Sequence, residues 1–258
     1  MKNFLIIVTI ISFSLLNLNA SVDKKSCQNK GDDFIFAGGE CIKFYEASGE
    51  SEGAINIIVH GTWDKGTNTL GRYAPFADNI AMATDFNTIA IALPGYSGST
   101  TNNVKELSVG SNTVYSKKYI KFMAELIKEL KAKYNVQKVN YMGHSAGATL
   151  GANIISLNKG LIDTLTAVGG RYNLDKFKDK KGLVSISENL DHVKDVQILL
   201  VYGTADKISK PEVTTSFYDL AKKNKLNVKI VKVVDAAHID LDMTDESVEA
   251  FTQMVAPE

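Results

Sequence analysis

Cysteine, histidine and tryptophan are scarce in this chain, and charge of neither sign prevails. Among 258 residues there are two cysteines, four histidines and one tryptophan, with 29 Lys+Arg against 29 Asp+Glu. That balance gives no electrostatic reason to expect nucleic acid or an anionic membrane as a partner. No internal repeat, low-complexity tract or long linker divides the chain. The apolar run Phe4–Leu16 falls short of the roughly 20 residues that span a bilayer. With 45% hydrophobic residues, the chain can bury a full core as one α/β domain.

The scarce residues are informative where they occur. Lys2, the apolar run Phe4–Leu16 and the polar close Asn17–Ala20 read as a secretory signal over residues 1–20, ahead of a domain over 21–258. Leu18 stands where a small residue is commoner, so an uncleaved anchor is the other reading. Export would take the protein to a periplasmic or extracellular space, where an even cysteine count favours a disulfide. Cys27 and Cys41 are the candidate pair, flanking a hairpin signal in which Asp32–Ala37 and Glu40–Tyr45 are joined by Gly38-Gly39. Two unpaired buried thiols are the alternative. A catalytic cysteine is disfavoured because no histidine stands near either one in sequence.

Apolar, β-branched runs follow at Ile55–Val59, Thr88–Leu93, Val136–Met142, Thr164–Val168, Val196–Val201 and Val228–Val234. Several are nearly continuous in hydrophobicity, as strands covered on both faces should be. Between them, Ile120, Met123, Ile127, Leu130 and Tyr134 stripe a helix over 117–134, and Pro211 opens another through about Lys223. A last helix begins at its cap Thr244 and runs to about Val255. This alternation predicts a mostly parallel sheet with helices on both faces. Ligands in such sheets bind at the carboxyl ends of the strands, so what each strand delivers there matters most.

One strand delivers Gly143-His144-Ser145-Ala146-Gly147, a G-x-S-x-G turn leading into the helical pattern Ala148–Ile155. Such a turn exposes the serine hydroxyl, and its glycines allow the cramped backbone. A hydroxyl needs a base, and His238 directly follows the last strand run. His60 and His144 flank motif glycines, where backbone geometry rather than the ring is the expected requirement, and His192 falls in a charged segment off the rim. The base needs a carboxylate to orient it. Asp206, ending Val201–Asp206, fits, whereas Asp235, Asp240 and Asp242 read as turn or capping groups. Charge growing on a substrate oxygen needs pre-aimed donors. The Ala146 N–H at a helix start is one. The second is expected from the loop after His60-Gly61, with Thr62 first and Trp63 as runner-up. Trp63 could equally line a pocket or cap the core.

These residues together resemble the α/β-hydrolase superfamily: His60-Gly61, Leu93–Gly98, Gly143–Gly147, the strand ending in Asp206, and His238. The resemblance implies an eight-stranded, mainly parallel sheet whose early hairpin is its antiparallel start, and an acyl-enzyme route with Ser145 as nucleophile. It implies no cofactor or metal, and a small-molecule ester or amide as the partner. Residues 169–194 stand where a large lid would be; they are charged, short on apolar runs, and unlike a greasy lipase cover. Lys176–Lys181 alternates with acid and reads as a solvated face. A carboxylesterase of small or medium acyl chains is the leading expectation. Peptidase-like, perhydrolase, acyltransferase or thioesterase activity on the same residues, or an idle binding module, are the alternatives.

Overall fold

β-Branched runs and amphipathic helices alternate in space as they do in sequence. The computed structural model describes residues 21–108 and 111–256, so the expected signal, residues 1–20, lies outside the described residues. A short helix α1 (Lys24–Gln28) precedes strands β1 (Phe34–Ala37), β2 (Glu40–Ala47) and β3 (Ser51–Val59). The remainder runs α2 (Thr69–Thr84), β4 (Phe86–Ile91), α3 (Lys117–Tyr134), β5 (Lys138–His144), α4 (Ala146–Leu157) and β6 (Thr164–Val168). It closes with β7 (Gln197–Gly203), α5 (Pro211–Lys223), β8 (Val228–Val233) and α6 (Asp245–Val255).

The eight strands form one sheet in the order β1-β2-β4-β3-β5-β6-β7-β8. Pairing is antiparallel for β1·β2 and β2·β4 and parallel from β3 onward, as the resemblance implies. Side chains alternate across the pleat and so build two cores. On one face Ile55, Ile57, Val59, Tyr141 and Leu165 pack with α3, α4 and α5. On the other, Ile58, Ala90, Met142, Val201 and Val233 pack with α2 and α6. The central strands are therefore covered on both sides, which is why they read as unbroken apolar runs.

Local chemistry explains the element ends. Ser116 caps α3 by accepting from the Tyr119 N–H, and Asn135 stops it in the left-handed conformation at φ 51°. Thr244 caps α6 through the Ser247 N–H. Helix α2 has no counterpart among the sequence expectations. Its apolar face is Leu70, Tyr73, Phe76, Ala77 and Ile80, but Pro75 inside it removes one helical hydrogen bond.

Cys27 and Cys41 form a disulfide with Cα atoms 5.5 Å apart, tying α1 to β2. Next to it, Glu40 is fully buried and its carboxylate accepts from the backbone N–H groups of Asn102, Asn103 and Val104 and from the Thr100 hydroxyl. The hairpin thus holds the stretch 100–104 against the sheet. Residues 169–194 contain two short 3₁₀ turns and no longer helix. Tyr172, Leu174, Val184, Ile186 and Val193 of this segment are core residues, so it is packed in place by its own apolar side chains.

Candidate active site

The turn after β5 follows from close packing. A Cβ on Gly143 would lie 2.5 Å from the Gly147 carbonyl group, and one on Gly147 would lie 2.2 Å from the Val59 oxygen. Only glycine lets α4 start this close above β5 and β3. Ser145 between them is at φ 54°, ψ −112°, a rare conformation for a residue with a side chain. Its N–H donates to Val168 O at 2.8 Å, and its carbonyl accepts from the Thr149 N–H at 3.0 Å. The side chain is left projecting above the sheet.

Two other strand ends complete a chain of hydrogen bonds. His238 Nε2 is 2.8 Å from Ser145 Oγ, and His238 Nδ1 is 2.7 Å from Asp206 Oδ2. Both His238 and Asp206 are buried. The other Asp206 oxygen accepts from the N–H groups of Ile208 and Ser209, each at 2.8 Å. Burial alone would raise the Asp206 pKa, but the bonds from His238, Ser209 and Ile208 outweigh it and hold the carboxyl below its usual range. The aspartate is therefore ionised where it faces the imidazole. Gly169, at φ 60°, leaves room for the ring, since a Cβ there would approach His238 to 3.3 Å.

The loop after β3 crosses beside the serine, with the position of a Gly61 Cβ only 2.9 Å from Ser145 Cβ. Thr62 and Ala146 both line the cleft that contains Ser145 and His238. As the first helical residue, Ala146 has an N–H with no carbonyl inside its own helix to bond. Trp63 is not among the lining residues; it packs against both core clusters, with the Arg72 guanidinium 5.3 Å over its ring.

Two histidines correct the sequence expectation, because their rings and not only their backbones are used. His60 Nε2 accepts from the Leu93 N–H at 3.1 Å, so its proton is on Nδ1, which donates to Gly61 O at 2.6 Å. That bridge joins the ends of β3 and β4. Burial lowers its pKa to about 4, more than the bond to Gly61 raises it, with the nearby His144 acting in the same direction as burial. His144 Nε2 donates to the His238 carbonyl at 2.8 Å, and its ring lies 4.9 Å from the His238 ring. Behind it, Asp242 is buried with one oxygen 3.9 Å from His144 Nδ1, although its position read as an ordinary turn group. Nothing in the sequence marks these contacts: residue 144 is the free position of the motif, and its partners are distant along the chain. His192 lies off the rim, bonded through Nδ1 to Ser156 O at 2.8 Å.

The cleft over Ser145 has a volume of about 540 Å³. Its walls mix apolar residues such as Leu107, Val114 and Phe177 with hydroxyls and two cations, Arg171 and Lys176. Lys176 is exposed, in keeping with a solvated face, and its ammonium lies 5.2 Å from the centre of the Tyr115 ring and 4.8 Å from that of Phe177.

Sheet order, the sharp turn after β5 and the rim residues define an α/β-hydrolase fold. The family described as alpha/beta hydrolase fold matches residues 57–182, and this chain has the α/β-hydrolase fold. Est1E from Butyrivibrio proteoclasticus, solved with ferulic acid bound, is similar over 86% of this chain and 95% of its own, at 16% identity and TM-score 0.60. The Pyrococcus furiosus esterase Pf2001 is similar over 83% and 91%, at 18% identity and TM-score 0.62. XC6422 from Xanthomonas campestris, described as an a/b serine hydrolase without lid, is similar over 87% and 95%, at 13% identity and TM-score 0.55. No curated protein matches the chain. Identities this low speak for the fold alone; function is a matter for the site.

Proposed function

We propose that the protein is a serine carboxylesterase acting on small or medium acyl esters. The observation that carries this reading is the unbroken relay from Ser145 Oγ to His238 at 2.8 Å and on to Asp206 at 2.7 Å. His238 Nε2 takes the Ser145 proton as Oγ attacks the ester carbonyl. Asp206 keeps the proton-bearing nitrogen of His238 turned toward itself and stabilises the imidazolium. The N–H groups of Ala146 and Thr62 hold the oxyanion. Collapse of the tetrahedral intermediate breaks the C–O bond, and His238 returns its proton to the departing alcohol. Water, deprotonated by the same histidine, then attacks the acyl-Ser145 carbonyl, and the carboxylic acid leaves with the serine regenerated.

A fluorophosphonate probe should label Ser145, and Ser145→Ala should lose both label and ester hydrolysis. Peptide mapping that finds the label on another serine would overturn the assignment. We also propose that residues 1–20 direct export, a reading supported by the Cys27–Cys41 disulfide, since such bonds persist in oxidising compartments.

A further inference from the structure

Among the described residues, cationic side chains are the only charged groups on the cleft wall. Arg171 and Lys176 line it, and no aspartate or glutamate does. The acids nearest them in sequence and on the adjoining loop are taken by other lysines. Asp175 pairs with Lys180 at 3.6 Å and Glu106 with Lys65 at 3.2 Å. Among the described residues neither Arg171 nor Lys176 forms an ion pair.

Both cations are nevertheless held in position. The Arg171 N–H donates to Thr149 Oγ1 at 3.0 Å, and its guanidinium donates to Ile208 O at 2.5 Å. Thr149 bonds back to the Ser145 carbonyl, so Arg171 is fixed one helical turn from the proposed nucleophile. Among the described residues the remaining guanidinium donors have no hydrogen-bond partner and are open to a ligand. Lys176 sits over Tyr115 and Phe177, whose rings meet edge-on with centroids 5.0 Å apart. The Lys176 pKa is drawn down by desolvation and then by the Arg171 charge, which fits two cations facing a shared space. Tyr115 supplies a third donor. It is 1% exposed and lines the cleft, and its hydroxyl lies near Thr149 and Arg171 without a hydrogen bond of ordinary geometry among the described residues. A buried hydroxyl without a partner is costly, and a ligand oxygen would remove that cost.

We infer that this wall is a subsite for an oxyanion, and that the substrate is an ester carrying a second, anionic group. Arg171, Lys176 and the Tyr115 hydroxyl hold that group, for which carboxylate and phosphate are the two suitable chemistries. A neutral alkyl chain laid on the same wall would desolvate two cations and leave them unpaired. The assignment of the reacting bond rests on the esterase reading; the subsite does not.

Binding can be measured without turnover on Ser145→Ala protein, using monoethyl glutarate, ethyl 4-phosphonobutanoate and neutral diethyl glutarate as ligands in calorimetric titrations. At least one anion should bind roughly tenfold tighter than the neutral diester, as expected for one or two charge-assisted hydrogen bonds. The tighter of the two anions identifies the chemistry. Arg171→Gln and Lys176→Gln should each shrink the preference; the second change is at an exposed residue and tests the subsite even if the first impairs folding. Equal affinity for charged and neutral ligands, or a preference that neither substitution moves, overturns the subsite. Wild-type turnover of p-nitrophenyl butyrate against mono-p-nitrophenyl glutarate separates the two readings. Hydrolysis of both with no preference for the anion overturns the subsite alone, and anion binding without hydrolysis of either overturns the esterase reading alone.

Discussion

Ser145 adopts a backbone conformation that costs a side-chain-bearing residue about 1–3 kcal/mol. It is kept there by its bonds to Val168 and Thr149 and by the two glycines beside it. The strain turns the hydroxyl toward His238, and in the proposed mechanism Asp206 decides which imidazole nitrogen is free to receive its proton. Asp206→Asn should therefore lower turnover by about 10⁴ while the fold persists, because an amide can hold the wrong tautomer. Steady-state kinetics beside a circular-dichroism melt would check this, and near-normal turnover would move the role to another residue. His60 makes a different claim. Its pKa falls from 6.5 to about 4 on folding, so the native state binds fewer protons than the unfolded chain across that window. Its contribution is complete above pH 6.5 and is lost as pH falls toward 4, by about 3 kcal/mol in all. Denaturant midpoints should decline over that interval in the wild type and decline less steeply in His60→Gln. Parallel slopes would mean that His60 does not titrate with unfolding.

Among the elements, the hairpin β1–β2 shows how a peripheral piece supports the site. One of its ends is closed by Cys27–Cys41, across a separation of 14 residues. A loop of that size contributes roughly 3 kcal/mol in the chain-entropy account. Reduction should then lower the melting temperature by roughly 6–12 °C, at the usual 2–4 °C per kcal/mol for a chain of this size. Melts with and without reductant, beside nonreducing mass spectrometry of the bridged peptide, test this; an unchanged melt would assign the hairpin's stability to Glu40 and its backbone partners. Elements with a clean period are legible in the sequence. Helix α3 shows an uninterrupted apolar stripe with lysines behind it, and α5 and α6 carry a proline start and a threonine cap. Helix α2 is not legible, because Gly71 and Pro75 are breakers and only the packing of Tyr73, Phe76 and Ile80 overrides them. In the candidate site, Ser145, Asp206 and His238 are legible because each follows a strand end on one rim. The rings of His60 and His144, Asp242 and the Lys176 perch are not, since each depends on a neighbour brought near only by the finished sheet.

Taken as a whole molecule, the chain pairs a rigid parallel platform with a modest cleft. Its likeness to these solved structures spans most of both chains at identities of 18% or less, so the platform geometry persists with little sequence in common. A cleft of about 540 Å³, walled by the packed segment 169–194, suits a short acyl chain. Across a p-nitrophenyl ester series, kcat/KM should peak at short or medium acyl length and fall for long chains, with matching anilides turned over far more slowly. A maximum at long chains, or anilides preferred to esters, would contradict the proposed activity. One bond gives this platform a further property. The imidazole of residue 144 grips the carbonyl of residue 238, so Ser145 and its proposed base are bolted to a single mount. That bolt restrains thermal sway of the β8 loop, and inactivation on warming should come as one abrupt break in alignment, seen as a kink in the temperature dependence of turnover, not as a gradual drift.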